Sequence, residues 1–297
     1  MNIFTIVVIY NGMQRNWIQK CFDSLLLSSI ATEIIAIDNG STDGSVEFVK
    51  RNYPQIKLIV ANENLGFAKA NNIGIKYALE HEADYVFLLN QDAWIEKETI
   101  EKLVEAFKQL PKAGIVAPIH LNGDKTNFDR DYIAHHFAAD LYFNRLQNFY
   151  ETQFVCASAW LISKKCIETI GGFDTLVFYH YGEDDNYLQR AIYHNFKIYI
   201  VTTTTICHDR GERNGNYSAE HEKRESEVVK SIYYADIRKN DKVLDEFKKM
   251  SLRYAVKKIL KLQFKNLFTQ RKLDRYFYMK IEQSREQNKK KGLNWLV

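Results

Sequence analysis

The first 120 residues alternate short apolar segments with longer helical patterns, and no other feature constrains the fold as strongly. The apolar segments are rich in Ile and Val and are continuously apolar, which is typical of strands buried on both faces. They occupy residues 3–10, 33–38, 56–61, 85–90 and 114–118, and helical patterns cover about 15–29, 43–52, 67–81 and 96–109. Strands that alternate with helices of this length predict right-handed β-α-β units and an α/β fold, with a mostly parallel sheet flanked by helices.

The second half of the chain is less regular. Residues 119–150 predict an irregular segment with short pieces of structure, and residues 154–163 and 196–209 predict two further strands. Helices are predicted over 164–174, where Gly171 and Gly172 end the pattern, and within 179–195. From about residue 216 onward the pattern is helical.

Composition excludes several classes of protein. With 46% hydrophobic and 26% charged residues, the 297-residue chain is typical of a globular protein of about two domains. The four cysteines, Cys21, Cys156, Cys166 and Cys207, form no C-x-x-C pair, which argues against a disulfide framework or a zinc site and suits a reducing cytosol. The N-terminal apolar run lacks a basic leader and is interpreted as a strand, and no run of 18 apolar residues predicts a membrane span. We therefore expect a cytoplasmic location.

Polar side chains stand at the ends of the first four predicted strands. They are Tyr10 and Asn11, Asp38 and Asn39, the segment 62–72, and Asn90, Gln91 and Asp92. In open α/β sheets, ligands bind beyond the carboxyl ends of the strands. Asp and Asn are also ordinary turn residues, but their presence at four consecutive strand ends favours a ligand site.

The sequence lacks the glycine-rich signatures that cradle phosphates at a helix N-terminus, since neither G-x-G-x-x-G nor G-x-x-x-x-G-K-[ST] occurs. A divalent ion could neutralise a diphosphate instead, because Mg²⁺ typically uses one or two protein carboxylates together with substrate phosphates. Asp92 is such a carboxylate at a strand end. His208, at the end of another predicted strand, is a candidate second ligand, although a single His is often a structural hydrogen-bonding residue.

Three consecutive carboxylates, Glu183, Asp184 and Asp185, begin the predicted helix "EDDNYLQR". Like charges are costly to bury together unless they have a use. Helix capping is one explanation, because the helix dipole favours carboxylates at the N-terminus. The other is general base catalysis, in which a positioned carboxylate takes a proton from a sugar hydroxyl.

The ordered motifs "VVIYN", "IIAIDNGSTDGS", "ANENLGFAKANN", "FLLNQDAWI", "ASAWLISKKCIETIGGFD", "YGEDDNYLQR" and "CHD" resemble the family 2 glycosyltransferases, bacterial inverting enzymes of the GT-A fold. The resemblance covers residues 3–215. It implies a GT-A catalytic domain over residues 1–215, with nucleotide-sugar binding in about 1–118 and the acceptor side in about 119–215. Residues 216–297 form a helical C-terminal extension in this division of the chain.

The resemblance also implies roles for individual residues. Those of the nucleotide pocket are Tyr10, Asn11, Asp38, Asn39, Lys69, Asn71 and Gln91. Asp92 takes the place of the second carboxylate of the family's D-x-D metal motif, with Asn90 in place of the first. His208 matches a late His that completes the metal site in some members. The implied cofactor is therefore a divalent metal, Mg²⁺ or Mn²⁺.

The segment "YGEDDNYLQR" is similar to the family's E-D-x-D-x-x-x-R pattern, with Asn186 where the second Asp usually stands. By this matching Asp184 is the catalytic base and Glu183 stands beside it. Trp160 and Asp185 are assigned to the acceptor side. Trp160 either offers a stacking face to a sugar ring or packs in the core. Deprotonation of the acceptor hydroxyl by Asp184 and attack on the anomeric carbon from the opposite face would invert that centre.

Residues 251–297 hold 13 Lys/Arg and 3 Asp/Glu and predict a basic amphipathic helix. Its apolar face is Leu252, Val256, Ile259, Leu260, Phe264, Leu267 and Phe268, with Arg253, Lys257, Lys258, Lys261 and Lys265 around it. This face would bind an anionic membrane surface or pack on the catalytic domain with its lysines in solvent. No recognised nucleic-acid-binding module accompanies the charge, so we expect no nucleic acid partner.

The predicted function is transfer of a sugar from a UDP- or dTDP-sugar to a glycan or lipid-linked acceptor in bacterial surface polysaccharide synthesis. The motif "LNQDAWI" leans towards rhamnosyltransferase-like members. One alternative is an inactive nucleotide-sugar-binding or glycan-binding scaffold, motivated by Asn90 and Asn186. Another is a sugar nucleotidyltransferase, which would need a glycine-rich basic signature that residues 10–20 do not contain. The cytoplasmic enzyme would be peripheral on the inner face of the membrane if its acceptor is lipid-linked.

Overall fold

The computed structural model describes residues 1–129, 138–179, 181–210, 219–260 and 267–296. The strands are β1 Ile3–Ile9, β2 Glu33–Asp38, β3 Lys57–Val60, β4 Tyr85–Leu89, β5 Ala93–Ile95, β6 Ala113–Asn122, β7 Phe149–Thr152, β8 Ala159–Ser163 and β9 Lys197–His208. The helices are α1 Trp17–Leu26, α2 Ser45–Asn52, α3 Phe67–Glu80, α4 Thr99–Gln109, α5 Ala138–Tyr142, α6 Lys164–Ile170, α7 Glu183–Tyr193, α8 Ala219–Ala235, α9 Lys242–Leu260 and α10 Leu267–Asn288.

The described strands form one sheet of nine strands in the order β3-β2-β1-β4-β8-β6-β9-β5, with β7 paired to β9. The first four strands in this order, β3, β2, β1 and β4, are parallel to one another, so their carboxyl ends lie at one edge of the sheet, as the sequence predicts. Beyond β4 the sheet is mixed: β8 runs antiparallel to both β4 and β6, and β6 is parallel to β9. The predicted α/β architecture is present, with most of the parallel pairing in residues 1–89.

The strands of the parallel half are buried on both faces because helices cover each side of the sheet. Phe4 and Ile6 of β1 point into a core shared with α3, α6 and α7. Ile3, Val7 and Ile9 of the same strand point into a second core shared with α1 and α4. Successive side chains of a strand face opposite sides, so two apolar layers require a continuously apolar strand.

The structure differs from the sequence prediction mainly in short elements. The strands β5 and β7 and the helix α5 have three to five residues, too few to give a periodic signal. Strand β6 extends to Asn122, past the predicted end at Pro118, because a register shift between Pro118 and Ile119 lets the pairing with β9 resume after the proline. Strand β8 begins at Ala159, five residues later than predicted.

The C-terminal helices pack on one another and on the first 215 residues. Arg285, buried in α10, donates to the carbonyl oxygens of Tyr234 at 2.9 Å and Asp236 at 2.6 Å, and Asn288 of the same helix donates to Asp174 at 3.1 Å. Beyond α10, the backbone oxygen of Asn294 accepts from the Gly172 N–H at 2.8 Å. The final described segment, 292–296, which we call the C-terminal strap, therefore completes the core around the turn that ends α6. None of the helices in the described ranges has the length and apolar character that crossing a bilayer requires.

Candidate active site

The ends of β1 and β4 are joined by the side chain of Gln91. Its Oε1 accepts from the Tyr10 N–H at 3.0 Å, and its Nε2 donates to the Tyr10 carbonyl at 2.9 Å. A Cβ added to Gly12 would lie 2.4 Å from Gln91 Oε1, so glycine is needed there for this amide to fit. Gln91 is at the predicted edge of the site, but its amide is engaged by backbone rather than turned to a ligand.

Asp38, at the end of β2, is almost completely buried. Its Oδ2 accepts from the backbone N–H groups of Gly40 and Ser41, both at 3.2 Å. Its Oδ1 has no hydrogen-bond partner among the described residues. A buried acceptor without a donor is costly, so this oxygen is suited to accept from a bound ligand.

Asn39 shapes the loop that follows β3. Its Nδ2 donates to Asn64 Oδ1 at 3.0 Å, and its Oδ1 accepts from the Leu65 N–H at 2.7 Å. From the other side, the Tyr179 hydroxyl donates to the Asn64 carbonyl at 3.0 Å. Sequence reasoning did not single out Asn64 or Tyr179 as residues that order this loop, because their contacts join distant parts of the chain and carry no motif.

The other predicted nucleotide residues divide into supporting and accessible groups. Asn11 accepts from the Thr42 N–H at 2.9 Å, and Asn71 donates to the Phe67 carbonyl at 3.0 Å within α3. Tyr10 is 44% exposed, and Lys69 is exposed on the first turn of α3. The accessible side chains are therefore those of Tyr10 and Lys69.

The pairing of β5 with β9 brings Asp92 to His208. Ala93 is opposite His208 in this antiparallel pair, and Asp92 Oδ1 lies 3.5 Å from His208 Nε2. The other ring nitrogen, Nδ1, lies 2.9 Å from Asp129 Oδ2. Burial on its own would lower the pKa of His208, but the hydrogen bonds with Asp129 and Asp92 outweigh it and raise that pKa.

This geometry fits a divalent cation. Without a metal, protonated His208 can donate to Asp129 and Asp92 at once; in the neutral ring with Nδ1–H on Asp129, Nε2 would be free to bind a cation together with Asp92. Ion–ligand distances of about 2.0–2.2 Å allow one ion to bridge atoms separated by this span. The two residues that the motifs predicted as ligands are thus adjacent, on neighbouring strands.

Two buried residues extend this part of the site. His120, Asp129 and His208 each offer a ligand atom, and these atoms lie within 4.8 Å of one another. Asp129 also accepts from Arg210 Nε at 2.8 Å and 2.9 Å through its two oxygens. These partners hold the pKa of Asp129 well below its usual range despite its burial. Asp129 lies in the segment 119–150, where the sequence shows no clear periodicity. Only the chemistry of its carboxylate could have drawn attention to it.

The acidic cluster forms the first turn of α7, as the sequence predicts. Burial, followed by the charge of Asp184, raises the pKa of Glu183 to about 8 and that of Asp185 to about 7. Burial also raises the pKa of Asp184, although a backbone hydrogen bond from Ala157 and the charge of Arg210 oppose that rise. The neighbouring Asn186 is fully buried, and neither atom of its amide has a hydrogen-bond partner among the described residues.

The segment 156–158 connects the acidic cluster to the proposed metal ligands. The Ala157 N–H bonds to Asp184, and Cys156 Sγ lies 3.7 Å from Arg210 Nη2. Ser158 contacts His120 Nδ1 through its hydroxyl at 3.1 Å and accepts from the Asn90 N–H through its carbonyl at 3.0 Å. Residues from four separate motifs therefore meet around this short stretch.

Trp160 lies elsewhere than its predicted role requires. It is fully buried in β8, and its ring stacks on Phe173 with centroids 6.3 Å apart and contacts Tyr187 at 5.9 Å. The pairing of Trp160 with Leu88 in the centre of the sheet turns the ring into the core. It offers no open face to a sugar, so core packing, the other role considered, is the one the structure has.

Comparison with known proteins bears on what this arrangement does. The family model described as Glycosyl transferase family 2 matches residues 5–171, more than half of the chain. The chain belongs to glycosyl transferase family 2. The resemblance drawn from the motifs is therefore confirmed, and with it the prediction of a glycosyltransferase.

Curated relatives of this family 2 member include rhamnosyltransferases. It is 24% identical over 222 residues to the dTDP-rhamnosyl transferase RfbF of Shigella flexneri, covering 72% of this chain and 71% of that protein. It is 29% identical over 173 residues to glycosyltransferase GlyA of Streptococcus pneumoniae serotype 4, covering 53% and 23%. It is 31% identical over 103 residues to the N-acetylglucosaminyl-diphospho-decaprenol L-rhamnosyltransferase of Mycobacterium tuberculosis, covering 31% and 34%. The chain spans most of the first relative and a minor part of the other two.

Solved structures agree on the fold. S. aureus TarS in complex with UDP-GlcNAc superposes with a TM-score of 0.57 at 17% identity, over 81% of this chain and 68% of that one. GalNAc-T7 with UDP, GalNAc and Mn²⁺ superposes with a TM-score of 0.60 at 14% identity, over 79% and 50%. The family 2 chain therefore has the GT-A fold predicted from its motifs, followed by a helical C-terminal extension. A divalent metal is consistent with this fold and with the buried His/Asp/His group.

Proposed function

We propose that this protein is a metal-dependent inverting glycosyltransferase that moves a sugar from a nucleoside diphosphate donor to a glycan or lipid-linked acceptor. The observation that carries the proposal is the approach of Asp92 to His208 at 3.5 Å, with Asp184 connected to the same region through residues 156–158. Metal-ligand and base candidates from distant parts of the sequence thus converge beyond the ends of the parallel strands, where α/β proteins bind ligands.

The donor nucleotide is proposed to lie across the ends of β1 and β2. The open Oδ1 of Asp38 would accept a hydrogen bond from the base, and exposed Tyr10 and Lys69 would border the nucleotide. Asn11, Asn39, Asn71 and Gln91 would act by holding the surrounding loops, as their backbone hydrogen bonds indicate. This division separates residues that recognise the donor from residues that shape its pocket.

Asp92 and His208 Nε2 would hold the divalent ion, Mg²⁺ or Mn²⁺. When bound, the ion would supply positive charge to the diphosphate leaving group. Asp129 would orient His208 by accepting from Nδ1, and Arg210, fixed by the same carboxylate, would keep a positive charge near the acidic cluster. Because Asn90 replaces a carboxylate, Asp92 is the acidic ligand we assign within the segment 90–92.

Asp184 is proposed to take the proton from the attacking acceptor hydroxyl. Burial raises its pKa, as it does those of Glu183 and Asp185, but the backbone hydrogen bond from Ala157 and the charge of Arg210 both favour its ionised form and link it to the segment beside the proposed metal ligands. We therefore assign Asp184 as the base, Glu183 as its supporting neighbour and Asp185 to the acceptor side. Attack opposite the departing diphosphate would invert the anomeric centre.

Hydrolysis of the donor by the purified protein, with and without Mn²⁺, tests the enzyme against the inactive scaffold. We expect turnover that requires the ion and is lost in Asp92→Ala, with Asp124→Ala, an exposed carboxylate near the same sheet edge, as the control. Nucleotide-sugar binding without any turnover would favour the scaffold. Formation of a nucleotide sugar from a nucleoside triphosphate and a sugar phosphate would favour the nucleotidyltransferase.

The donor is proposed to be a dTDP- or UDP-sugar, with dTDP-rhamnose the first to test. Support comes from the relatives, among which are a dTDP-rhamnosyl transferase and a rhamnosyltransferase named for a diphospho-decaprenol sugar. Thermal stabilisation by a panel of nucleotide sugars, each with Mn²⁺ and with chelator, would identify it. We further propose a role in bacterial surface polysaccharide synthesis, a cytoplasmic location and a peripheral position at the membrane when the acceptor is lipid-linked.

A further inference from the structure

The basic C-terminal region consists of two parts with different environments. The second half of α10 and the C-terminal strap are buried against the first 215 residues, as Ile281, Asn288 and Leu296 show. By contrast, residues 252–260 of α9 and 267–273 of α10, which we call the helical tip, carry several exposed apolar side chains. These are Leu252, Val256, Ile259, Leu260, Phe268 and Leu273, of which Leu260 is 80% and Phe268 83% exposed.

Contacts between α9 and α10 show why the tip projects. The Ser251 hydroxyl bonds to Asp274, and Lys248 Nζ lies 4.2 Å from the centroid of the Tyr278 ring, so the helices are antiparallel. In one continuous helix, residues 251 and 274 would be about 35 Å apart, at 1.5 Å per residue. The apolar stripe predicted on one helix is therefore divided between two, and Phe264, Lys261 and Lys265 lie outside the described residues. The helical tip is the end of this helix pair farther from the contacts of Arg285.

The exposed apolar residues of α9 occupy one side of the helix. At about 100° per residue, Leu252, Val256, Ile259 and Leu260 fall within an arc of about 100°. Arg253 and Lys257 follow along one flank of this arc and line a shallow groove with Leu252, Val256 and Leu260. An apolar strip with cations at its border has the chemistry of a helix that lies in a bilayer interface.

The charge around the helical tip is predominantly positive. Residues 247–275 contain ten Lys/Arg and a single acidic residue, Asp274, which bonds to Ser251 and Gln270. A protein partner for an apolar strip needs no such charge, whereas an anionic lipid surface attracts each cation. The combination of several large exposed apolar side chains with a large excess of positive charge therefore favours a lipid surface over a second copy of the chain, which would bring like charges together.

We propose that the helical tip docks on an anionic lipid bilayer, with Leu252, Val256, Leu260 and Phe268 inserted at the interface and Arg253 and Lys257 at the headgroups. This deepens the proposed peripheral position by assigning it to the tip alone, while the C-terminal strap serves the catalytic core. The assignment rests on the proposed function only for the reason to bind a membrane, which is access to a lipid-linked acceptor. Its test does not involve sugar transfer.

The test is co-sedimentation of the full chain with vesicles of phosphatidylcholine alone or with phosphatidylglycerol, at low and high salt. We expect binding to the anionic vesicles that weakens with salt. Arg253→Gln/Lys257→Gln should lower the partition coefficient by about 25-fold, at about fivefold per charge. Val256→Asp/Leu260→Asp should abolish binding. Both positions are exposed, so folding is unaffected, and an unchanged melting temperature would verify this.

Matched controls are Lys50→Gln/Arg51→Gln on α2 and Leu27→Asp after α1, all exposed positions away from the tip, which should bind like the parent chain. The proposal is overturned if the parent chain ignores anionic vesicles, if it binds neutral ones equally well, or if the tip variants bind unchanged. It is also overturned if the Val256/Leu260 variant converts a dimer to a monomer in lipid-free solution. Donor binding measured on the same variants keeps a failure of this proposal distinct from a failure of the proposed function.

Discussion

Asp129 accepts a hydrogen bond from His208 through a carboxylate oxygen 2.9 Å from Nδ1, and this contact directs the other ring nitrogen of His208 towards Asp92. A carboxylate behind a metal-binding His fixes its tautomer and ring orientation. The same carboxylate binds Arg210, so one buried residue positions both a proposed metal ligand and a cation.

Asp129→Asn should weaken the Mn²⁺-dependent binding of a nucleoside diphosphate by about 10- to 100-fold, because His208 loses the acceptor that orients it. Binding in the presence of chelator should change little. Calorimetry of UDP and dTDP under both conditions measures the difference, with Asp124→Asn, an exposed Asp in the same part of the chain, as the control. An equal loss with and without Mn²⁺ would show that Asp129 acts on the fold and not through the metal.

Asp92→Ala should remove the advantage that Mn²⁺ or Mg²⁺ gives to nucleoside diphosphate binding, because it deletes the acidic ligand proposed for the ion. The affinity that remains should equal that of the parent protein in chelator. Calorimetry with the same nucleotides measures it. A parent protein that binds these nucleotides equally well with metal and with chelator would contradict the metal role.

Asp184→Asn keeps the shape of the side chain and removes its basicity. Turnover should fall by roughly a hundredfold or more, while donor affinity stays nearly the same. Steady-state kinetics and donor calorimetry measure the two quantities. Glu183→Gln and Asp185→Asn are the companion variants, and near-normal turnover in Asp184→Asn would move the base to whichever of these is inactive.

The raised pKa values of the acidic cluster predict opposite pH trends for activity and stability. Carboxylates whose pKa is higher in the folded state bind protons that the unfolded chain has released, so the cluster's contribution to the free energy of unfolding falls as pH rises from about 4.5 to about 8. Turnover should rise over the upper part of this range as the cluster ionises. Rate profiles of the parent protein from pH 5 to 8.5 measure the trend in turnover. Thermal melts over the same range measure the trend in stability, and Asp185→Asn should lose less stability than the parent protein as pH rises. A melt profile in this variant that is the same as the parent's would contradict the assignment.

Gly171→Ala should destabilise the protein by more than Gly44→Ala. Both glycines have positive φ, +78° and +88°, but Gly44 is in the left-handed helical region, where a Cβ costs about 1 kcal/mol, whereas Gly171, with ψ of −153°, is in a region essentially confined to glycine. A Cβ at Gly44 meets open space, whereas one at Gly171 would also collide with the backbone of Asn294 in the C-terminal strap. The difference between the two free energies of unfolding therefore combines the backbone strain at Gly171 with the strap contact, and equal values would mean that neither has a cost.

The sequence predicted the features that periodicity and motifs encode. Continuous Ile and Val runs gave the parallel strands, and polar strand ends led to Asp38, Asp92 and His208. The sequence did not reveal Asp129, whose value comes from long-range pairing with His208, 79 positions away. Nor did the sequence distinguish a core role for Trp160 from a sugar-binding one. The sequence pattern around an aromatic residue in an apolar strand is the same in both cases, and only its neighbours in the structure separate them.

The strap also sets an order on the assembly of this protein as it is synthesised. Asn72, on α3, donates to the Trp295 carbonyl at 3.1 Å, a contact that joins residues 223 positions apart. The strands of the parallel half emerge from the ribosome long before the segment that closes the core beside α3. Until that segment emerges, the nascent chain carries every motif of the site on a core that is still open and exposes apolar surface that the finished protein buries.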